Sequence, residues 1–406
     1  MVNRSRFYTV GVSIVIALLC FEAQILFSFI TTTRISLAVL LFLFAGLLLE
    51  KKPIRINKAH LPLLFFFVFI LLWSILNSTV HIFSGSRIDI KPFISLCLIF
   101  LTIGLFSLII TNAKIQFKEL IRLLWIFGNV MVFLTFFILY LQADFNFFDS
   151  SLRISKLKHF FNDNLPGGTS RYFYGLVTLN TISLSFALGY LKSSKRNRLI
   201  SIAGIVLLLI MLFVANSRQN ILFLLFIAIF PKLLTFNIIK VLKFSIRTLV
   251  VVAISIAVLS YTTDILSNIK EKYIERTTSQ IEEGSERIET YTLAYEDIRA
   301  SPIMGTGLGN FERRHGITTH NGYLWVGAEL GLLPLVVYSL ILIWLFFTFT
   351  KSKSSFGEYK AFYTLIFAYL AGYILIANNF NELFKDYIFY IFFLVYLIGT
   401  KKRMCH

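Results

Sequence analysis

The chain has few of the residues that cross-link, interrupt or negatively charge a soluble domain. Its 406 residues include three cysteines, seven prolines and 21 acidic residues, while 57% are hydrophobic. Cys20 and Cys97 lie in apolar runs and Cys405 lies in the basic C-terminal tail, so neither a disulfide scaffold nor a cysteine zinc site is supported. With a mean hydropathy of +0.77, the composition is outside the range of soluble globular proteins.

The chain also lacks the acidic pairs through which many transferases bind metal ions. No Asp-x-Asp sequence occurs, and histidines and carboxylates are not spaced as metal ligands. A metal-assisted transferase is therefore disfavoured, and no metal site and no cofactor are expected.

Long apolar runs occupy most of the chain. They contain most of the 44 Phe and 18 Tyr and are separated by short charged stretches, as in proteins with repeated spanning helices. The pattern predicts an all-α polytopic membrane protein with about twelve transmembrane helices. The first run follows basic residues but precedes no small-residue cleavage site, so a retained anchor is expected rather than a signal peptide. The predicted spans are 7–30, 35–49, 61–80, 92–111, 119–141, 173–191, 199–215, 219–236, 247–262, 322–350, 360–377 and 386–400.

The formal net charge of +18 would suggest a nucleic-acid partner if its distribution were ignored. With the N-terminus in the cytoplasm, the cytoplasmic segments hold 23 of the 39 basic residues and three of the 21 acidic residues, whereas the outer segments hold 16 of each sign. This distribution follows the positive-inside rule. It argues against a nucleic-acid partner and predicts a multi-pass protein with both termini in the cytoplasm.

Two outer segments are long enough to carry function. They are 142–172, which contains several basic residues, and 263–321, the largest segment outside the predicted spans. The second is expected to form short helices near 266–283 and 285–300, with Ser301-Pro302 ending the latter.

Three residues at the predicted outer face are candidates for chemistry: Arg218, Arg287 and His320. Arg218 lies at a tight turn between apolar helices, where a functional role is expected, and the alternative is that its side chain reaches lipid headgroups. Thr318 or Thr319 can cap the following helix, which would place His320 at a helix N-terminus that favours an anion such as phosphate. His320 is then a candidate general base, with a structural role as the alternative.

Three glycines precede this histidine, at 305, 307 and 309. They do not have the spacing of a dinucleotide-binding fingerprint, and no strand precedes them. They are expected to form turns that return the loop to the membrane.

The stretch from about 285 to 335 resembles the O-antigen ligase and O-antigen polymerase superfamily. After Arg287 it contains Pro-Ile-x-Gly-x-Gly-x-Gly-x-Phe from Pro302, His-Asn-x-x-Leu from His320 and Glu-Leu-Gly-Leu from Glu329. Pro334 departs from many members, which continue with glycine there. The resemblance extends more weakly to residues near earlier spans: Arg171, Gly175, Asn180 and Arg218.

The resemblance implies transfer of a glycan from an undecaprenyl-diphosphate carrier to a hydroxyl acceptor, at the periplasmic side of the bacterial inner membrane and without a metal ion. In this interpretation His320 is the catalytic base, Arg218 and Arg287 bind the diphosphate, and Arg171 and Asn321 are candidate substrate-binding residues. The implied partners are the lipid-linked oligosaccharide, a glycan or lipid A-core acceptor and membrane lipids, with a chain-length regulator and a flippase as candidates.

The predicted spans divide the chain into three parts, and the resemblance implies the role of the middle one. Residues 1–262 contain the first nine spans, 263–321 form a periplasmic catalytic loop, and 322–406 contain the last three spans of a single membrane domain.

Several functions remain open. The leading hypothesis is a surface-polysaccharide or O-antigen polymerase, because the Phe-, Ile- and Lys-rich composition is similar to that of polymerases. The nearest alternative is the O-antigen ligase that transfers finished polymer to lipid A-core. A protein O-oligosaccharyltransferase is disfavoured because only residues 401–406 follow the last span. A lipid-linked oligosaccharide transporter or flippase would require ionisable residues or Gly/Pro breaks deep in several helices, where Glu22 is the clearest acidic candidate.

Overall fold

The computed structural model describes residues 4–20, 32–51, 53–83, 90–142, 168–189, 191, 193–214, 218–233, 288–352, 360–376 and 387–399. Helix is the only regular secondary structure in these ranges, so the all-α prediction is confirmed for them. The predicted span 247–262, the predicted helix 266–283 and Glu22 lie outside the described residues.

The helices follow the apolar runs of the sequence. In chain order their bounds are α1 Arg4–Cys20, α2 Thr32–Leu49, α3 Leu61–Phe83, α4 Ile90–Asn112, α5 Phe117–Gln142, α6 Gly168–Ala187, α7 Lys195–Val214, α8 Arg218–Leu233, α9 288–300, α10 Asn310–His315, α11 Gly322–Leu330, α12 Leu332–Ser352, α13 Lys360–Leu375 and α14 Tyr387–Gly399. Helices α2 to α8, α13 and α14 begin and end within five residues of the predicted spans.

Four helices among the described residues are long and apolar enough to cross a bilayer. Their qualifying stretches are Thr32–Leu49, Leu61–Phe83, Lys91–Asn112 and Phe117–Ile138. Their length and composition indicate a membrane protein.

α6 lies at the centre of a helix bundle and packs against α1, α5, α7, α8 and α13. Uncharged polar groups join it to α5: Asn180 Nδ2 donates to the Gly128 carbonyl at 3.3 Å, and Asn129 Nδ2 donates to Ser183 Oγ at 2.9 Å. A Cβ at Gly128 would lie 3.1 Å from the Leu179 carbonyl oxygen, so the two backbones approach closely. Small and polar residues of this kind hold apolar helices together in membranes.

Two connections and the start of α1, all of which contain basic residues, meet at one end of the bundle. The Arg55 N–H donates to Asn112 Oδ1 at 2.8 Å, and Ser5 Oγ donates to the Lys114 carbonyl at 2.6 Å. These bonds bring together the start of α1, the α2–α3 connection and the α4–α5 connection. The 23 residues of α3 span about 34 Å, so His81 near its C-terminal end lies at the opposite end of the bundle.

The predicted single span 322–350 is wrong, because the chain reverses at Gly331 between α11 and α12. The ring centroids of Tyr323 and Tyr338 are 5.8 Å apart. In one continuous helix these two residues would be separated by about 22 Å along the axis. α11 therefore folds back beside α12. Hydropathy could not predict this break because both sides of Gly331 are apolar.

The reversal requires glycine at position 331. Gly331 has φ 93° and ψ 178°, a backbone region that is essentially confined to glycine. A Cβ at this position would also overlap the Ile303 carbonyl oxygen, which is a backbone atom and cannot rotate away.

Candidate functional site

Glycines 305, 307 and 309 form a turn, as the sequence predicted. Their φ values are 67°, 100° and 77°, in the region that glycine adopts without a steric penalty. The turn lies against the C-terminal part of α3, where His81 Nε2 is 3.2 Å from the Gly305 carbonyl oxygen and Asn77 Nδ2 donates to the carbonyl of the preceding residue. The described part of segment 263–321 is thus attached to the end of α3 that lies away from the basic connections.

The same turn satisfies the end of α11. The last carbonyls of a helix have no partner within the helix and need donors from elsewhere. The Thr306 N–H donates to the Ala328 carbonyl at 2.8 Å, and the Gly307 N–H donates to the Glu329 carbonyl at 3.0 Å. From α3, Trp73 Nε1 donates to the carbonyl of the last residue of α11 at 2.8 Å. With these donors α11 can end inside the protein, away from water.

The Glu329 side chain joins the two ends of the segment 309–329. The Gly309 N–H donates to Glu329 Oε2 at 2.7 Å, and the glutamate is 1% exposed. Between them the chain forms α10, an irregular link and most of α11. This stretch, referred to below as the closed segment, is thus a loop whose ends are hydrogen-bonded to each other.

A second attachment holds the closed segment to α9. Asp297, which is 5% exposed, accepts from Arg314 Nη1 at 3.0 Å and from His315 Nε2 at 3.1 Å. Both partners lie at the C-terminal end of α10. A small apolar cluster joins α9, α10 and α11 beside these two contacts: Ala294, Phe311 and Ala328.

α9 and α11 run side by side in the same direction. The Leu332 N–H donates to the Pro302 carbonyl at 2.8 Å, which keeps the two C-terminal ends adjacent. The Ile298 side chain packs on Gly327, where an added Cβ would lie 2.9 Å from Ile298 Cδ1. Two leucines nearer the N-terminal ends pack against the same apolar cluster: Leu293 and Leu324. The N-terminal ends of α9 and α11 therefore lie at the same end of the pair.

His320 is exposed on the closed segment, immediately before α11 begins. Its backbone is left-handed, with φ 49°, which is uncommon for a residue other than glycine. The Thr318 hydroxyl oxygen lies 3.1 Å from Nε2 and 3.3 Å from Nδ1 of the imidazole. An exposed imidazole beside a hydroxyl is suited to accept a proton from a bound hydroxyl group.

The predicted helix cap at Thr318 or Thr319 is wrong, because Asn321 caps α11. Asn321 Oδ1 accepts from the Tyr323 N–H at 2.9 Å and from the Leu324 N–H at 3.1 Å. The buried Thr319 hydroxyl instead donates to the Asn321 carbonyl at 3.1 Å. Asparagine is as strong an N-cap as serine and stronger than threonine. Since the cap occupies two of the first amides of α11, those amides are not offered to a phosphate at this helix end.

Of the three arginines predicted to bind substrate, the described residues include two: Arg171 and Arg218. Arg287 lies outside them. Arg218 begins α8 and Arg171 lies near the start of α6, and for both the structure describes the backbone but not the side chain. The starts of these two helices are adjacent, because the Tyr174 hydroxyl donates to Gln219 Oε1 at 3.2 Å. The backbones of Arg171 and Arg218 are therefore at the same end of neighbouring helices.

Asp297 and Glu329 were not among the site residues that the sequence predicted. For Glu329 a signal existed, since a carboxylate within an apolar run needs a buried donor or a functional role. Asp297 follows Glu296 in a helix with other charged residues, so it could not be told from a solvated acid without the fold.

The family comparison agrees with the resemblance stated from the motifs. Residues 203–339, about one third of the chain, match a family model described as O-antigen ligase. The matched range covers Arg218, the glycine turn, His320 and Glu329, and it supports membership of the O-antigen ligase and O-antigen polymerase superfamily. No curated protein is similar enough to the chain to count as a relative.

Proposed function

We propose that this chain, as a member of the O-antigen ligase and O-antigen polymerase superfamily, is a surface-polysaccharide polymerase acting on an undecaprenyl-diphosphate-linked glycan. The observation that carries the proposal is the closed segment, which lies in the family-matched range and exposes His320 beside the Thr318 hydroxyl. The acceptor is a sugar hydroxyl of the next lipid-linked repeat unit.

In the proposed reaction His320 removes the proton from the acceptor hydroxyl. The acceptor oxygen then forms a bond to the anomeric carbon of the donor sugar, while the bond from that carbon to the phosphate oxygen breaks. The bonding electrons leave with undecaprenyl diphosphate, and the proton on His320 passes to solvent. The leaving group is already a diphosphate, so the protein has to neutralise its charge and position the two sugars.

Arg218 and Arg287 are proposed to bind the diphosphate through their guanidinium groups, whose geometry matches phosphate oxygens. Two observations support their inclusion. The described part of α9 begins at residue 288, the next in the sequence after Arg287, and its N-terminal end lies at the same end of the α9–α11 pair as the residues next to His320. Arg218 begins α8 inside the family-matched range. Arg171 and Asn321 are proposed to contact the substrate, in the case of Asn321 through atoms that the helix cap does not use.

The proposed topology has twelve spans, both termini in the cytoplasm and the catalytic loop on the periplasmic side of the inner membrane. Residues 1–262 would contain nine spans and 263–321 the loop, while 322–406 would contain three spans, the first beginning after the reversal at Gly331. The clustering of basic connections at one end of α3, with the glycine turn near the other end, supports this sidedness.

An O-antigen ligase acting on a lipid A-core acceptor is the second candidate, because the matching family model is described by that activity. A lipid-linked oligosaccharide transporter has less support. The buried polar residues of α5 and α6 that the structure describes are amides and hydroxyls rather than ionisable groups: Asn129, Thr135, Thr178, Asn180, Thr181, Ser183 and Ser185.

The proposal is tested in a deletion strain complemented with variants. His320→Ala should abolish polymer while the protein still inserts, and full polymer formation by this variant would refute the role of the base. Arg218→Lys or Arg287→Lys should lose most activity if bidentate phosphate binding matters. Unchanged activity would show that the site requires only a positive charge at that position.

The deletion strain separates polymerase from ligase. Core carrying one repeat unit indicates a lost polymerase, and bare core with accumulated lipid-linked polymer indicates a lost ligase. A chain-length regulator and a flippase, the proposed protein partners, would be supplied by the host strain.

A further inference from the structure

We propose that Glu329 is a positioning residue for the proposed base: its buried carboxylate fixes the closed segment and thereby the backbone that presents His320. The identity of the base rests on the proposed function. The role of Glu329 in closing the segment rests on the Glu329–Gly309 geometry and does not depend on the proposed function.

The hydrogen bond from the Gly309 amide to α11 depends on which residue stands at position 329. The Thr306 and Gly307 amides donate to backbone carbonyls, which any residue would supply. The Gly309 amide donates to the Glu329 carboxylate at 2.7 Å, a distance expected for a hydrogen bond to a charged acceptor. Replacing the side chain therefore removes this attachment and leaves the two backbone bonds in place.

The Gly309 amide is held in this position from the other side as well. A Cβ at Gly309 would lie 2.6 Å from Pro92 Cγ at the start of α4, so the turn is packed between α4 and α11. Gly309 is half-buried, so leaving its amide without an acceptor in such a place costs free energy. The chain at Gly309 should then open locally toward α10, while the Thr306 and Gly307 bonds keep the start of the turn on α11.

Loss of the Glu329–Gly309 bond affects the backbone position of His320, because His320 lies between these two residues in the chain. From Gly309 the backbone passes through α10, which Asp297 holds, and then through the link that carries the imidazole. From Glu329 the backbone returns through α11 to the Asn321 cap. With both ends fixed, the link has little freedom. With the Glu329 bond lost, the stretch from Gly309 to α10 loses its direct bond to α11 and depends on the Thr306 and Gly307 bonds before it and on Asp297 after it.

The first test measures the backbone directly by hydrogen–deuterium exchange on the purified full-length protein. In Glu329→Ala the amides of residues 309–321 should exchange at least about tenfold faster than in the wild type, with α3 and α12 unchanged. In Glu329→Gln, whose amide oxygen can still accept from Gly309, exchange should stay within about threefold of the wild type. Unchanged exchange in Glu329→Ala would overturn the proposal.

The second test measures glycan transfer and separates positioning from general destabilisation. Glu329→Ala should lower turnover at least about tenfold with the apparent KM for the lipid-linked donor within about twofold, and Glu329→Gln should recover most of the turnover. The matched control is Leu345→Ala in α12, a fully buried residue remote in sequence from the closed segment. If the control loses as much turnover as Glu329→Ala at equal loss of melting temperature, Glu329 is structural only.

Two further outcomes are decisive. If Glu329→Gln is as inactive as Glu329→Ala while its exchange matches the wild type, the carboxylate charge acts in the chemistry and the positioning role is wrong. If His320→Ala is fully active but the exchange result holds, the proposed base fails and the closure of the segment by Glu329 stands.

Discussion

Gly331→Ala should destabilise the protein more than the same substitution at Gly316 or Gly104. Two costs combine at this position. A residue with a side chain is strained at φ 93° and ψ 178°, by about 1–3 kcal/mol. The added methyl would also meet two backbone groups, the Ile303 carbonyl and the Gly305 amide nitrogen, and such overpacking costs about 1–3 kcal/mol. The total of roughly 2–6 kcal/mol is a large part of the 5–15 kcal/mol that stabilises a typical domain.

Two other glycines separate these costs in a thermal-melting assay on purified protein. Gly316 has φ 71° but no atom within 4 Å of an added Cβ, so Gly316→Ala should show backbone strain alone, about 1–2 kcal/mol. Gly104 lies within α4 with open space around it, so Gly104→Ala should be neutral or stabilising by about 0.5–1 kcal/mol. The melting temperature should therefore fall in the order Gly104→Ala, Gly316→Ala, Gly331→Ala. If Gly331→Ala melts with the wild type, the reversal between α11 and α12 does not exist as described.

Two smaller predictions concern the groups that hold α11. Asn321→Ala should remove the N-cap and about 1 kcal/mol of stability in a melting assay, whereas Asn321→Ser should keep most of that stability. If Asn321→Ser is stable but inactive in glycan transfer, the Asn321 side chain also contacts substrate. If Asn321→Ser is fully active, Asn321 acts as a helix cap only. Trp73→Phe keeps an aromatic ring in α3 but removes the donor to the Leu330 carbonyl, so it should lower stability by about 1–3 kcal/mol. An unchanged melting temperature would show that another group donates a hydrogen bond to that carbonyl.

The sequence was sufficient to predict most helices, because hydrophobic run length is a direct consequence of burying a backbone in lipid. The positive-φ turn at Gly305, Gly307 and Gly309 was also predictable, since three glycines at alternate positions suit neither a helix nor a strand. The resemblance to the superfamily was available from the same short motifs, and the family match over residues 203–339 agrees with it.

The errors have physical reasons. The break at Gly331 lies between apolar flanks, so hydropathy could not distinguish one long helix from two. Thr318, Thr319 and Asn321 are all good capping residues, and their order does not say which one will reach the first amides of α11. Bonds such as Glu329 to Gly309 join residues that are twenty positions apart, and no local pattern encodes them. The roles of Arg218 and Arg287 remain predictions.

The reversal at Gly331 also divides an apolar run that is longer than a bilayer is thick. A straight helix over the apolar run 322–350 would be about 43 Å long, far more than the 30 Å hydrocarbon thickness of a typical bilayer. Such an excess has to be relieved by tilting the helix or by distorting the lipid around it. With the run divided, α12 keeps 21 residues and is about 31 Å long, close to that thickness. The apolar residues before Gly331 form α11, whose buried side chains pack against the protein and do not have to be buried in lipid.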